Sequence, residues 1–197
     1  MNYYVDTGRL ARAMDYWKGL GFVYGKVPLT VHPEIMDLTC PSGARDGRLT
    51  HADGSQFVAS AEQSFLQLDA NGKELHTVDQ TGVMAITPCY RDESDETHLQ
   101  VFLKLELFKY VNSGIAGMIS SRHMASMAKE FFALEGLPTI VVKTDEGYDL
   151  MYSEKKGEVE LGSYGVRETP SGRLYVYGTG IAEPRASMAQ DVHRYPY

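Results

Sequence analysis

Two apolar runs separated by a short polar segment constrain the fold of this chain more than any other feature. The runs cover residues 83–90 and 101–110 and contain many β-branched and aromatic side chains, whereas residues 91–98 are all charged or polar. Two such runs flanking a polar connection are typical of an antiparallel hairpin whose turn faces solvent. The sequence therefore predicts a hairpin near the middle of the chain.

Further strands and helices are predicted on both sides of this hairpin. Asp6 or Thr7 can cap a first helix, whose apolar positions recur at helical spacing and which ends at Gly19 and Gly21. Strand candidates lie at residues 22–27, 57–60, 139–143, 148–153, 159–164 and 174–177, helices at 61–71, 115–134 and from 184, and an extended, irregular segment at 28–41. Strands grouped around an antiparallel hairpin, with helices before and after, indicate an α+β fold with a central antiparallel sheet rather than a doubly wound parallel one.

Composition limits the classes of function. The chain has 197 residues, of which 43% are hydrophobic, and this favours a single domain over residues 1–197. A net charge of −7 opposes a broad phosphate-binding surface. Cys40 and Cys89 form neither a CxxC pair nor a metal-ligand spacing with histidine, and no apolar run is long enough to cross a bilayer. We therefore expect a soluble, cytoplasmic protein.

The hairpin carries the residues with the clearest chemical meaning. Alternation along each strand places Arg91 and Glu93 on one face of the first strand, and Phe102 and Glu106 on one face of the second. A guanidinium binds phosphate with paired donors, an aromatic ring offers a flat surface for a purine, and a carboxylate accepts from an exocyclic amine. This combination predicts a nucleotide site.

The same segment resembles motif 2 of the class II aminoacyl-tRNA synthetases. Arg91, Glu93, His98, Phe102 and Glu106 match that motif position by position. The resemblance implies that Arg91 holds the α-phosphate of ATP and the substrate carboxylate, that Glu93 contacts the adenine amine, that His98 lies near the outer phosphates and that Phe102 stacks on adenine. It also implies a class II synthetase-like catalytic domain.

A second segment, residues 178–185, is similar to motif 3 of that family. It is a glycine-rich strand entering a helix, and the resemblance implies that backbone at Gly180 approaches the ligand and that Arg185 binds adenine and the γ-phosphate. The segment departs from the family pattern in two ways. Ala182 replaces a glycine, and Pro184 stands where the family has an acid, with Glu183 one place early. Arg185 keeps its place, because proline is tolerated at the start of a helix.

Three weaker matches complete the resemblance. Glu160 lies on a glycine-containing strand that in the family carries an acid binding Mg²⁺. Residues 60–63 resemble a loop that accepts the ammonium group of the amino acid, which implies a substrate role for Glu62 and Gln63. The first helix with Pro28 or Pro33 looks like motif 1, which builds the dimer interface of the family, and a homodimer is implied.

Simpler interpretations exist for each residue taken alone. Arg91 with Glu93 is also the pattern of a surface ion pair, and Phe102 that of a core aromatic. Glu160 could face solvent on its strand, and Glu62 could only stabilise the dipole of its helix.

The sequence also predicts residues that pack without a chemical role. On the 115–134 helix, the packed stripe is predicted to consist of Ile119, His123, Met127, Phe131 and Leu134, with the methionines as core fillers. Cys89 is predicted to be a buried, inert thiol.

The function expected from the resemblance is ATP-dependent activation of a carboxylic acid, an amino acid, as its acyl-adenylate. The activated group would pass to a tRNA or another acceptor. The alternative is a paralogue that has lost catalysis and acts as a nucleotide-binding or regulatory subunit. A nucleic-acid accessory protein would need a basic patch, and the pairs Arg45 with Arg48 and Lys155 with Lys156 are too sparse to favour one.

Overall fold

In the computed structural model, which describes residues 4–39, 48–75, 81–92, 99–154 and 157–194, a seven-stranded sheet organises the chain. The strands are β1 Phe22–Tyr24, β2 Thr30–Val31, β3 Gln56–Phe57, β4 Gly82–Tyr90, β5 Val101–Tyr110, β6 Thr139–Lys143, β7 Gly147–Glu154, β8 Gly157–Glu168 and β9 Leu174–Glu183. The helices are α1 Thr7–Gly19, α2 Pro33–Asp37, α3 Ala61–Ala70, α4 Gly114–Leu134 and α5 Arg185–Arg194.

The large sheet has the strand order β1-β4-β5-β9-β8-β7-β6, and β2 pairs with β3 in a small separate sheet. Every neighbouring pair in the large sheet is antiparallel except β1 with β4. The predicted α+β class with a central antiparallel sheet is confirmed. None of the helices in the described ranges is both long and apolar enough to span a membrane.

The central hairpin is also confirmed. β4 and β5 pair from Val83 opposite Phe108 to Tyr90 opposite Val101. The ladder continues one step further, where the backbone N–H of Arg91 donates to the carbonyl of Gln100 at 2.9 Å. Arg91 therefore leaves the sheet with its backbone already fixed.

Helix α1 forms where the sequence predicts it. The Asp6 side chain accepts from the backbone N–H of Arg9 at 2.8 Å and thereby satisfies one of the free donors at the helix start. Leu10, Ala13 and Trp17 are buried along one side and pack on the sheet. This face joins α1 to the strands that carry the candidate site.

The packed stripe predicted for α4 is confirmed at Phe131 and Met127 and is wrong at Ile119, His123 and Leu134. Ile119 and Leu134 are 67% and 76% exposed, whereas the buried face contains small residues together with Met124, Phe131 and Phe132. A Cβ added to Gly117 would lie 2.8 Å from both methyl groups of Val166, so the helix approaches β8 too closely for a larger side chain there. Close backbone approach at Gly117 and the buried rings of Phe131 and Phe132 together define the face of α4 that packs on the sheet.

Two further segments differ from the prediction. The supposedly irregular stretch 28–41 contains β2 and the short helix α2, which starts at Pro33 and buries Ile35 and Met36. The strand predicted at 174–177 and the glycine-rich strand predicted from residue 178 form one continuous strand, β9, which ends at Glu183 and is paired with β5 along this length. Neighbouring side chains fill the space beside two of its glycines, Gly178 and Gly180.

The sheet is covered differently on its two faces. α1, α4 and α5 pack on one face, around Trp17, Leu105, Phe132 and Tyr164. On the other face α2 and α3 pack around Phe65, Phe108 and Tyr175. Cys89 is fully buried, and burial raises the pKa of its thiol to about 12, as expected for an inert cysteine.

Replacing Gly180 by alanine is expected to destabilise the fold by about 1–3 kcal/mol, because it overpacks the interior. A Cβ at this position would overlap Cδ2 of Leu105 and lie 3.0 Å from Nε1 of Trp17, and both side chains are completely buried. Urea denaturation measures the loss. Gly19→Ala is the control, since nothing lies within 4 Å of the added methyl group at that helical position; equal stability of the two variants would contradict this description of β9.

Stability is expected to fall as the pH drops below about 4.5, where unfolded acids gain protons before folded ones. The pKa of Glu135 is lowered by its hydrogen bonds with Arg12 and Arg9. Burial would raise the pKa of Asp69, but its hydrogen bonds with Arg173 and Tyr110 together outweigh burial and lower it. Because the folded values lie below the unfolded ones, the stabilisation is complete above that range and is lost on acidification. Thermal melting at pH 3 to 7 tests this, and unchanged melting between pH 5 and 3 would contradict it.

Candidate active site

A cavity opens beside the ends of β5 and β9, at the part of the sheet that α2 and α3 leave uncovered. Its cavity volume is about 60 Å³, and it continues into open solvent. The lining residues come from three segments that are distant in sequence: Arg91, Leu99, Phe102, Lys104, Glu160, Leu161, Gly162, Thr179, Ala182, Pro184, Arg185 and Met188. Arg91, Phe102, Glu160 and Arg185, which the sequence singled out separately, thus meet in one place.

Arg91 and Phe102 form one wall of the cavity. The guanidinium carbon of Arg91 lies 5.2 Å from the centroid of the Phe102 ring, within the range of a cation–π contact. Its Nε donates to the carbonyl of Ala59 at 3.4 Å, which fixes one side of the guanidinium group of this cavity-lining residue. Both side chains are half-buried and hence accessible to a ligand.

Arg185 lines the cavity from another element, at the first residue of α5. Its Nη1 donates to the backbone carbonyl of Glu160 at 3.3 Å, which connects the start of α5 to β8. The start of a helix carries partial positive charge, and a cationic residue there adds to it. This side of the cavity is suited to an anion.

The acid before Pro184 does not face the cavity. Glu183 is completely buried and accepts from Nη1 of Arg9 at 2.9 Å on the other side of the strand. Burial raises the pKa of Glu183, while hydrogen bonds from Ser187 and Arg9 oppose that rise. The carboxylate thus joins β9 to α1 and lies outside the ligand's reach.

Gly180 also lies away from the cavity. The space next to its Cα is filled by Leu105 and Trp17, so this glycine serves helix–sheet packing in the structure. Gly162 and Thr179 line the cavity instead. A Cβ atom added to Gly162 would lie 3.1 Å from the Cβ atom of Thr179. The glycine that permits close packing at the cavity therefore lies on β8, the neighbour of the strand β9 that carries Gly180.

Glu62 and Gln63 are buried and do not line the cavity. Both carboxylate oxygens of Glu62 accept from Nη1 of Arg167, at 2.9 and 3.0 Å, and one also accepts from the Tyr175 hydroxyl at 2.7 Å. Gln63 accepts from the backbone N–H of Ala59 at 2.7 Å. Burial raises the pKa of Glu62 and the Arg167 charge opposes the rise, so the pair is neutralised internally. An ammonium group could bind Glu62 only by displacing Arg167.

Lys104 is a cavity residue that the sequence did not single out. Its side chain is 14% exposed, and its Nζ donates to Oε1 of buried Glu106 at 2.7 Å. Burial would raise the pKa of Glu106, but Lys104 and the Ser60 hydroxyl outweigh burial and lower it, so Glu106 is ionised. Position 104 lies on the same strand face as Phe102, and this alternation was the signal that could have revealed it.

Glu160 is exposed on the cavity wall. A single carboxylate suits Mg²⁺ that takes its other ligands from phosphate and water, since this ion prefers oxygen and keeps several waters. Within the described ranges no three histidine, cysteine or acidic side chains cluster as metal ligands. Glu93 and His98 lie outside the described residues, so their proposed roles stay predictions.

Comparison with known proteins supports the architecture. No family model matches the sequence, and neither does any curated protein. Among solved structures, a pyrrolysyl-tRNA synthetase from Desulfitobacterium hafniense matches 94% of this chain over 69% of its own, at 14% identity and a TM-score of 0.67. Seryl-tRNA synthetase from Pyrococcus horikoshii, complexed with ATP, matches 92% at 18% identity and a TM-score of 0.75. Serine-tRNA ligase from Naegleria fowleri, in complex with AMP, matches 95% at 15% identity and a TM-score of 0.72.

These matches confirm that the chain has the fold of a class II aminoacyl-tRNA synthetase catalytic domain. The chain spans about two thirds of the pyrrolysyl structure and only 49% and 48% of the two seryl ones. The likeness extends along nearly all of this chain, so the whole sheet belongs to the shared fold.

Proposed function

We propose that the protein binds ATP in this cavity and uses it to activate a carboxylic acid as an acyl-adenylate. The observation that carries the proposal is the convergence of Arg91, Phe102 and Arg185 from three separate elements on one cavity. An aromatic ring and two guanidinium groups that line one cavity match a nucleotide, which is flat at the base and anionic at the phosphates.

Different residues of the cavity bind different parts of ATP. Phe102 offers its ring to adenine, and Arg185 at the start of α5 contacts the base and the γ-phosphate. Arg91 binds the α-phosphate, the atom group that reacts. Among the described lining residues, Arg91 and Arg185 bring two positive charges, and Lys104 a third that is paired with Glu106, against the carboxylate of Glu160, which favours a polyphosphate.

The reaction needs no general base, because a carboxylic acid is already ionised at neutral pH. A carboxylate oxygen attacks the α-phosphorus of ATP, an oxygen–phosphorus bond forms, and the bond to the β-phosphate oxygen breaks with its electrons leaving on pyrophosphate. Arg91 stabilises the negative charge that develops on the α-phosphate during this step, and Arg185 that on the departing group. Mg²⁺ held by Glu160 would neutralise phosphate charge.

The substrate class is a carboxylic acid, amino acids included. Lys104 lies deeper along β5 than Phe102, and its partner Glu106 fixes the orientation of its ammonium group. We assign Lys104 to the carboxylate of the acid. Because Glu62 is bound by Arg167, an amino group on the substrate requires a different acceptor. A tRNA or another nucleophile takes the acyl group afterwards.

Exchange of labelled pyrophosphate into ATP tests the proposal directly. The screen covers the amino acids and simple carboxylic acids without an ammonium group, with ATP binding followed by calorimetry in the same preparations. Exchange stimulated by one acid is the expected result. Silence with every acid despite ATP binding would favour a nucleotide-binding subunit without catalysis, and absence of ATP binding would exclude both.

Lys104→Met is expected to raise the KM for the activated acid by roughly 10-fold or more while changing the Kd for ATP less than about 2-fold, since it removes a charged hydrogen-bond donor. Because the variant leaves Glu106 buried and unpaired, the double variant Lys104→Met with Glu106→Gln serves beside it. A loss confined to ATP affinity, with an unchanged KM for the acid, would refute this assignment.

A further inference from the structure

We propose that Arg9 is a positioning residue for the candidate active site, holding the junction of β9 and α5 so that Arg185 faces the cavity. This inference rests on the proposed function, because it concerns the geometry of the nucleotide site. Arg9 lies on α1, on the face of the sheet that α1, α4 and α5 cover, and is not among the residues that line the cavity. Its effect on a ligand must therefore pass through the junction.

The buried guanidinium group of Arg9 forms hydrogen bonds with three other elements of the fold. Arg9 is 4% exposed, and its Nη1 donates to Glu183 at 2.9 Å and to the Ser187 hydroxyl at 3.1 Å, while Nη2 donates to Gln190. Its Nε donates to Glu135, at the end of α4, at 3.2 Å. α1, α4, β9 and α5 are thus joined at a single side chain.

Arg185 lies between the residues that Arg9 holds. Glu183 is two positions before it, Ser187 two positions after it, and Gln190 lies further along the same helix. The Glu183 carboxylate also accepts from the backbone N–H of Ser187 at 3.4 Å, which satisfies one of the free donors in the first turn of α5. Both the end of the strand and the first turn of the helix are therefore fixed to α1.

Only the fork of an arginine can make this set of bonds. Its planar donors point in fixed directions and reach several acceptors at once, whereas a lysine ammonium is a compact point charge on a flexible stem. Arg12 provides a natural comparison. It binds the same Glu135 at 2.7 Å, but its side chain is 55% exposed and it has no bond to Glu183, Ser187 or Gln190 within the described structure.

The test compares Arg9→Lys with the matched control Arg12→Lys, using ATP as the probe and calorimetry well below both melting temperatures. We expect Arg9→Lys to raise the Kd for ATP at least about 5-fold, and Arg12→Lys to change it less than about 2-fold. Equal ATP affinities in folded wild type and Arg9→Lys, whatever the melting temperature, would overturn the inference. Failure of the wild type to bind ATP would instead reject the proposed function.

A double-mutant cycle separates positioning from general loosening. If Arg9 acts through Arg185, Arg9→Lys has little further effect on ATP affinity once Arg185→Ala is present, since coupled residues are not additive. Fully additive losses would overturn the inference. Should Arg9→Lys fail to fold, Arg9→Met with Glu183→Gln removes both buried charges and takes its place in the same comparisons, with the same criteria.

Discussion

Replacing Arg91 by alanine is expected to lower the rate of pyrophosphate exchange about 100- to 1000-fold, the loss seen when one donor to a developing charge is removed. Arg91 sits at the cavity wall with its backbone fixed by Gln100 and its Nε by Ala59, so its terminal nitrogens are preorganised. In the proposed reaction they meet the α-phosphate, where charge changes most. The measurement is the exchange rate at saturating ATP with the acid found by the screen.

Arg122→Ala is the matched control for this change. Arg122 is exposed on α4, which packs on the opposite face of the sheet, and its loss removes the same charge from the protein. We expect its exchange rate to stay within about 2-fold of wild type, as surface changes have small effects. If Arg91→Ala and Arg122→Ala lose activity equally, or neither loses it, Arg91 does not stabilise the reacting phosphate.

Truncation of Phe102 is the second change with a large expected effect. Phe102→Ala should weaken ATP binding by about 5- to 150-fold, corresponding to the roughly 1–3 kcal/mol that stacking of a base on an aromatic ring contributes. The ring is half-buried, lies near Arg91 and lines the cavity, so the loss reflects the ligand more than the core. Calorimetric titration with ATP gives the change.

Phe102→Trp is the informative control, because it keeps an aromatic face at this position. It should retain most of the ATP affinity that Phe102→Ala loses, and pyrophosphate itself, which has no base, should bind to all three proteins alike. A weakening of pyrophosphate binding as large as that of ATP would show that Phe102 supports the phosphate side and does not stack on adenine.

The parts of the fold that local sequence dictates were predictable. The hairpin was visible because two apolar runs flank a polar connection, and α1 because Asp6 caps a regular apolar repeat. The placement of Arg91 and Phe102 together followed from strand pairing and alternation, since Phe102 is opposite Cys89 and Arg91 lies two positions further along the same face. Bringing Arg185 to the same cavity required the resemblance, because 94 positions separate it from Arg91.

Features set by distant neighbours were not predictable in this way. Which face α4 buries depends on how closely Gly117 approaches Val166 on β8. The carboxylate of Glu62 is engaged by Arg167, from a strand 105 residues away, and no local pattern signals that pair. Glu183 similarly looks like a displaced ligand until its bond with Arg9 is known. In each case the role of the residue is set by a contact with a residue that is distant in sequence.

The altered order of Glu183 and Pro184 thereby acquires a physical explanation. The family pattern has an acid directly before Arg185, and here proline takes that position while the acid is buried against Arg9. The bond to Arg9 stabilises the junction from the side opposite the ligand. Arg185 is consequently presented to the cavity although the acid beside it is not, and a nucleotide site remains compatible with the changed sequence.

The central claim is that Arg91, Phe102 and Arg185 surround one nucleotide, and a crystal structure of the protein with ATP tests it most directly. The account predicts adenine between the Phe102 ring and Arg185, with the α-phosphate within hydrogen-bonding distance of the Arg91 guanidinium. ATP bound elsewhere, or a base that leaves Phe102 uncovered, would contradict it.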